Sequence, residues 1–308
     1  MAQATASAPG AQAAGPASRG AGSRRLRGAR NYVALIPFHA YVGLFLILPT
    51  LIVTVGAFTT LEGGLTLDNV VRMFTDDTFV SAFLKSIQLA ITTAIAGAIF
   101  GALPAWAVAR GDPNGQLRQV VVAASGVLAQ FGGVMLAFAF LATFGFNGLV
   151  TLFFTDVIRF DVLPDPSWLY SLTGLAVVYT YFQIPLMLIV FLPSLDGLRQ
   201  EWYDASASLG GGAWAFWRNV GGPILAPSFL GALLLLFTNA FSAYATAAAL
   251  ISQGAPLITL QIANQFQSEV VLGQENVGKA IALGMIIVVS VVMAAYALIQ
   301  RRASRWVR

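Results

Sequence analysis

The chain has 308 residues, of which 57% are hydrophobic and only 10% charged, against about 25% charged in soluble domains. It has no cysteine and one histidine, which excludes disulfides, thiolate chemistry, Cys-ligated zinc and a His-built metal site. The net charge of +4 does not argue for nucleic acid, because the basic residues lie where membrane topology would put them.

Residues 1–30 are Ala, Gly, Ser, Pro and Gln, followed by Arg19, Arg24, Arg25, Arg27 and Arg30. They hold almost nothing that could form a core and read as a disordered basic tail. The apolar run at 32–58 is too long for a signal h-region and lacks a small-x-small cleavage site. It reads as a first transmembrane helix, with His39 expected to face a neighbouring helix. A polar connection at 59–78 contains Leu65–Phe74, which has the pattern of a short amphipathic helix. A second span covers 79–109 and ends at the turn-rich Arg110-Gly111-Asp112-Pro113-Asn114-Gly115.

The third span is expected at 119–144, and 145–169, with Asn147-Gly148, four charges and Pro164-Asp165-Pro166, reads as a loop with room for one surface helix. The fourth covers 170–195 and the fifth 224–251; 252–276 is polar, and the sixth covers 277–300. Gly97, Gly101 and Gly126 are expected at close helix contacts, as small residues are in membranes. The expected fold is thus all-α, a polytopic membrane protein with six transmembrane helices, residues 31–308 forming the membrane domain.

Six spans put both termini on one side. With that side cytoplasmic, thirteen of the seventeen Lys and Arg lie inside, and only Arg72, Lys85, Arg159 and Lys279 lie outside. The bias satisfies the positive-inside rule and places the connection between helices four and five, about 198–223, in the cytoplasm. That connection carries Trp202, Tyr203, Trp214, Phe216 and Trp217 with few charges. Gln200 to Leu209 has the makings of a short helix, broken by Gly210-Gly211-Gly212. A second helix from Ala213 would place Trp214, Trp217 and Gly221 on one face, until Gly221-Gly222-Pro223 stops it. On the residues alone, a surface for a partner protein and an aromatic belt in the lipid headgroups stand level.

Glu201–Pro227 has further spacing. Asp204-Ala205-Ser206 is followed by Gly210 four residues on, and Pro223 follows thirteen residues later. This resembles the EAA loop of permease subunits in ATP-binding cassette (ABC) importers, Glu-Ala-Ala-x3-Gly ending in Leu-Pro. Asp204 stands for the Glu, Ser206 for the second Ala, Gly211 for the usual Ala and Gly222 for the Leu. Leu65–Asn69, Ser86 and Ala109-Arg110-Gly111 resemble the same superfamily, so about 30–308 is covered. Length, loop style and the 252–276 segment look closest to the branch serving polyamines, ferric iron, phosphonates and thiamine.

The resemblance implies an inner-membrane permease working by alternating access. Its partners would be ABC ATPase subunits, a second permease or a copy of itself, an extracytoplasmic solute-binding protein and membrane lipid, with no nucleic acid. Asp204, Ala205, Ser206, Gly210, Trp214, Trp217 and Pro223 would form the ATPase-coupling surface. ATP and Mg would sit on the partner subunits; this chain would bind no cofactor or metal and would not be an enzyme. Gly273–Ala280 nearly spells a nucleotide-binding loop, but Ala280 lacks the hydroxyl such a loop needs after Lys279. Gln183, Asn239, Ser242, Tyr244 and Thr246 are polar positions within spans, expected to face other helices or a solute path. The solute would be small and polar, such as a polyamine, a phosphonate or ferric iron. The competing reading is a secondary transporter or channel working without ATP, which should show inverted repeats or an ionisable residue in a span.

Overall fold

In hydrocarbon no water satisfies a peptide group, so a chain of this composition pairs its backbone within each segment, as helix. The computed structural model describes residues 35–60, 62–158, 166–251, 257–267 and 275–303. The basic tail, Arg159, Pro164, Asp165, Gly273 and the last five residues lie outside that range. Among the described residues, six helices are long and apolar enough to cross a membrane. Extended pairing is confined there to an isolated bridge between Thr59 and Leu65.

In chain order the elements are α1 (Leu35–Ala57), the short α2 (Asp68–Thr75), α3 (Asp77–Ala109), α4 (Gln116–Gln130) and α5 (Gly133–Phe144). There follow α6 (Leu172–Asp196), α7 (Gln200–Ser208), α8 (Ala213–Ser242), α9 (Ala245–Leu250), α10 (Ile258–Gln267) and α11 (Glu275–Ala303). Two units are distinguished, one ending at Ile52 and one running from Val53 onward. In the first, α1 exposes Leu35, Phe38, Tyr41, Leu44 and Phe45. His39 is exposed, and its Nδ1–H donates to the Leu35 carbonyl at 2.9 Å, one turn back.

The second unit is organised on α3, α6 and α8. Asp76 caps α3 by accepting the Thr78 N–H at 2.9 Å, and Ser171 caps α6 by accepting the Gly174 N–H at 3.3 Å. The two helices touch through glycine. A Cβ on Gly97 would lie 2.5 Å from the Gln183 Cβ; one on Gly101 would lie 2.5 Å from the Met187 Cβ and 2.6 Å from the Ile184 carbonyl. Leu236 of α8 closes the third side, and Tyr179, Met187, Leu236 and Phe241 are buried between the three helices. Gly126 makes no such contact: nothing lies within 4 Å of where its Cβ would be.

The remaining helices are pinned around this core by single polar contacts. The Ile258 N–H at the start of α10 donates to Ser86 Oγ of α3 at 2.9 Å. At the head of α11, Lys279 Nζ donates to Asn276 Oδ1 at 2.8 Å, and Asn276 Nδ2 donates to the Thr59 carbonyl at 2.8 Å. Lys279 of the nucleotide-loop look-alike is therefore engaged in holding α11 in place.

Three expectations are corrected. The third span is not one helix over 119–144: α4 ends at Gln130 and the chain breaks at Phe131-Gly132. Gly133 there sits at φ 68°, a backbone conformation that glycine adopts freely. The membrane-length run is Gly133–Thr155, which continues past α5 into the expected loop through further helix at Leu149–Leu152 and Phe153–Ile158. The fifth span is likewise broken, at Ala243-Tyr244, between α8 and α9. In the other direction, Gly221-Gly222-Pro223 does not stop the helix that starts at Ala213. Both glycines are helical, at φ −63° and −60°, and the ladder widens over Trp217–Gly221, where the Gly222 N–H reaches back to the Trp217 carbonyl. A widened turn of this kind accommodates a proline that would clash with a regular one.

Candidate functional site

Two places gather the residues singled out in the sequence. The first is the connection at one end of the bundle. Helix α7 buries no residue: Glu201, Tyr203, Asp204 and Ala205 are exposed, and Trp202 and Ser206 are half-buried. It stops in a two-bond clasp, with the Gly210 N–H donating to the Ala207 carbonyl and the Gly211 N–H to the Ser206 carbonyl, both at 2.9 Å. This Schellman arrangement requires a left-handed residue, and Gly210 supplies it at φ 81°. Behind α7, Tyr203 packs on Phe216 with ring centroids 5.3 Å apart, and Phe216 on Trp217 at 5.7 Å. The short helix is thereby mounted on the first turns of α8.

The aromatic residues do not share one face. Phe216 and Gly221 are buried, Trp217 is half-buried, and Trp214 is 77% exposed beside Leu209 at 89%. Asp204, Ala205, Gly210 and Trp214 are thus outward, whereas Ser206 is half-buried beside Gly211, Trp217 packs against the core and Pro223 is exposed on α8. At this end Arg118 of α4 and Asp196 of α6 form a two-pronged ion pair, with Nη1–H donating to Oδ1 at 3.1 Å.

The second place is a groove of about 580 Å³ between α6, α8 and α11, lined by Leu186, Val190, Ser194, Ser228, Thr238, Asn239, Ser242, Met293 and Tyr296 among others. Every polar group in this lining is neutral. Ser242 and Thr238 turn their hydroxyls back to the Thr238 and Leu234 carbonyls, at 2.8 and 3.0 Å. Asn239 is half-buried at the groove wall.

Above the groove the two helix breaks meet. The buried Tyr179 of α6 donates its hydroxyl to the Ala243 carbonyl at 2.8 Å, and Thr246 Oγ1 donates to the Gly133 carbonyl at 3.1 Å. Of the polar positions named from sequence, Asn239 and Ser242 line the groove, while Tyr244 and Thr246 lie at the break. Gln183 is in neither place: it is fully buried, its Nε2 donating to Thr93 Oγ1 at 3.1 Å, while its Oε1 has no partner. Tyr179 was not singled out, because a tyrosine in an apolar run reads as core. Its hydroxyl acquires a role only through a break that lies 64 residues further along the chain. Among the described residues no three His, Asp or Glu side chains gather into a metal site.

No family model matches the chain. Curated relatives do. A probable sulfate transport system permease protein cysT from Helicosporidium is 25% identical over 170 residues, covering 55% of this chain and 60% of the relative. The sulfate transport system permease protein CysW of Synechocystis is 24% identical over 264 residues, 82% of this chain and 87% of that one. The chain matches about 60% of the length of the first of these relatives. Among solved structures, a bacterial alginate ABC transporter in complex with an alginate pentasaccharide-bound periplasmic protein superposes with a TM-score of 0.69. It is 16% identical and covers 91% of this chain and 96% of that one. The chain resembles ABC importer permease subunits in its fold and in these sequence matches.

Proposed function

We propose that this chain is the permease subunit of an ABC importer, resident in the inner membrane with both termini cytoplasmic. The observation that carries the reading is the mounting of α7. A short helix with no buried residue, closed by a left-handed glycine, is stacked directly on the helix whose far end lines the groove. An outward helix with Asp204 and small residues at 205 and 206 suits insertion into a cleft of an ATPase subunit. Closure of an ATPase pair would move α7, and α8 with it, so that the groove opens alternately to the two sides. The energetic requirement is that α7 meet the ATPase differently in its two states, since equal contact shifts nothing. ATP and Mg belong on those partners, and this chain performs no covalent step.

The partners completing the assembly are a second permease or another copy of this chain, and an extracytoplasmic solute-binding protein. The solute is small and polar. The groove offers only neutral hydrogen-bonding groups, so selection of a polyamine or ferric ion by charge would fall to the binding protein. A groove lined by no Asp, Glu, His, Lys or Arg also fits a nucleotide-driven importer better than an ion-coupled secondary transporter.

The test is Gly210→Trp in the complex assembled in vesicles. A side chain at this φ costs about 1–2 kcal/mol locally, and the bulk would stand where α7 meets its partner. Expected is a chain that still inserts while nucleotide-driven uptake falls at least tenfold. Unchanged uptake would remove the coupling role, and uptake by the chain alone without nucleotide would favour the secondary transporter.

A further inference from the structure

Beneath α7 lies a second pocket, of about 290 Å³, one wall of which is the Tyr203–Phe216–Trp217 stack and whose basic residues the coupling reading does not use. Its walls include Leu195 and Leu198 at the end of α6 and Tyr203 and Trp217 of the connection, and its rim carries Arg110 and Arg199. Each guanidinium is held over an indole ring: Arg110 lies 4.1 Å from the Trp106 ring centre and Arg199 5.9 Å from that of Trp202. Such stacking braces a guanidinium by one face and leaves its N–H edge free for an anion. Unlike Arg118, which pairs with Asp196, neither of these two arginines has a carboxylate partner among the described residues.

The surface leading to Arg110 identifies what brings the anion. On α3, Ile95, Ile99, Leu103 and Trp106 are 46%, 52%, 59% and 38% exposed. They are spaced four, four and three residues apart, so they form one stripe on the helix. Four residues further on, the stripe ends at Arg110. From Ile95 to Trp106 it is about 16 Å long at 1.5 Å per residue, close to the thickness of one hydrocarbon leaflet, about 15 Å. An acyl-chain length of apolar surface ending at a braced cationic pocket has the dimensions and charge order of a phospholipid.

We propose that this pocket binds the phosphate of an anionic phospholipid whose acyl chain lies along the α3 stripe, so that a lipid headgroup is wedged between α7 and the ends of α3 and α6. That this end faces the anionic cytoplasmic leaflet rests on the function proposed above; the binding itself does not. Basic side chains near an anionic surface contribute about fivefold each in affinity, so two give about 25-fold.

The purified full-length chain, stripped of lipid in detergent, is titrated with phosphatidylglycerol or phosphatidylcholine and the retained lipids are counted by native mass spectrometry. One phosphatidylglycerol is expected to be retained with about 25-fold preference. The preference should vanish in R110Q/R199Q, largely survive in R110K/R199K, and be unchanged in R218Q, an exposed arginine outside the pocket. Leu103→Asn, on the stripe, should weaken retention of the lipid. Equal retention of the two lipids overturns the proposal, as does an R110Q/R199Q variant that keeps the preference or an R218Q variant that loses it. Displacement of the lipid by inorganic phosphate at matching concentration, with Leu103→Asn silent, would assign the pocket to free phosphate and overturn the lipid. Because no nucleotide, ATPase or uptake enters the measurement, its failure leaves the permease reading standing, and failure of the Gly210 test leaves this one standing.

Discussion

Removing the Tyr179 hydroxyl isolates the clasp between the two helix breaks. Tyr179→Phe keeps the ring and its packing and deletes one oxygen, which donates to the Ala243 carbonyl at 2.8 Å from a side chain only 1% exposed. Ala243 is where the ladder of α8 ends, so its half-buried carbonyl would lose its side-chain donor. Leaving such a group unsatisfied costs about 1–3 kcal/mol, whereas interhelical hydrogen bonds in membranes average only about 0.6 and reach about 1.7. The burial and the good distance argue for the upper part of the second range, about 1–1.5 kcal/mol. For a unit this large that corresponds to a fall of a few degrees in Tm. Thr246→Val deletes the companion bond to Gly133, 3.1 Å long, and should cost somewhat less. Because both bonds hold the same pair of breaks, the double variant should depart from additivity by at least about 0.5 kcal/mol. The assay is thermal unfolding of the purified chain in one detergent for wild type, both singles and the double. A neutral Tyr179→Phe, or strict additivity, would refute the clasp.

Gly101→Ala should destabilise by about 1–3 kcal/mol through overpacking against Met187 and Ile184, whereas Gly126→Ala, with open space around it, should be neutral or slightly stabilising; the same unfolding assay compares them. Asn239→Leu places an apolar side chain in the groove wall and should change uptake while leaving ATPase association intact, read by co-purification; loss of association instead would make Asn239 structural. Arg118→Gln removes a partly exposed ion pair and should leave the unfolding temperature nearly unchanged, and a double-mutant cycle with Asp196→Asn should show little coupling.

What the sequence disclosed depended on whether the cause was local. Span lengths follow from apolar runs, and the stop after α7 follows from Gly210, both visible residue by residue. The close approach at Gly97 and Gly101 was legible for the same reason. The break between α4 and α5 did have a local mark, Gly132-Gly133, but an apolar run on both sides hid it. The break after Ser242 had none: Ala243 and Tyr244 carry no breaker, and a tyrosine from α6 and a glycine carbonyl from α5 hold the region. The run of α8 through Gly221-Gly222-Pro223 failed in the opposite sense, because breaker residues are read one at a time while a widened turn absorbs them together. At the candidate site the motif spacing drew attention to Asp204 and Ala205, which are exposed, and equally to Ser206, which is half-buried. Which aromatic residues turn inward was decided by the stack of Tyr203, Phe216 and Trp217.

The continuity of α8 sets a scale for mechanical action. Its 30 residues run unbroken from Ala213 to Ser242, a rod about 45 Å long. Pivoting about its midpoint by about 10° would carry each tip sideways by about 4 Å. With Trp214 near one tip and Ser242 at the other, the widened turn at Trp217–Gly221 and Pro227 lie between the loop and most of the groove, and their stiffness sets how much of a push at the loop is passed on.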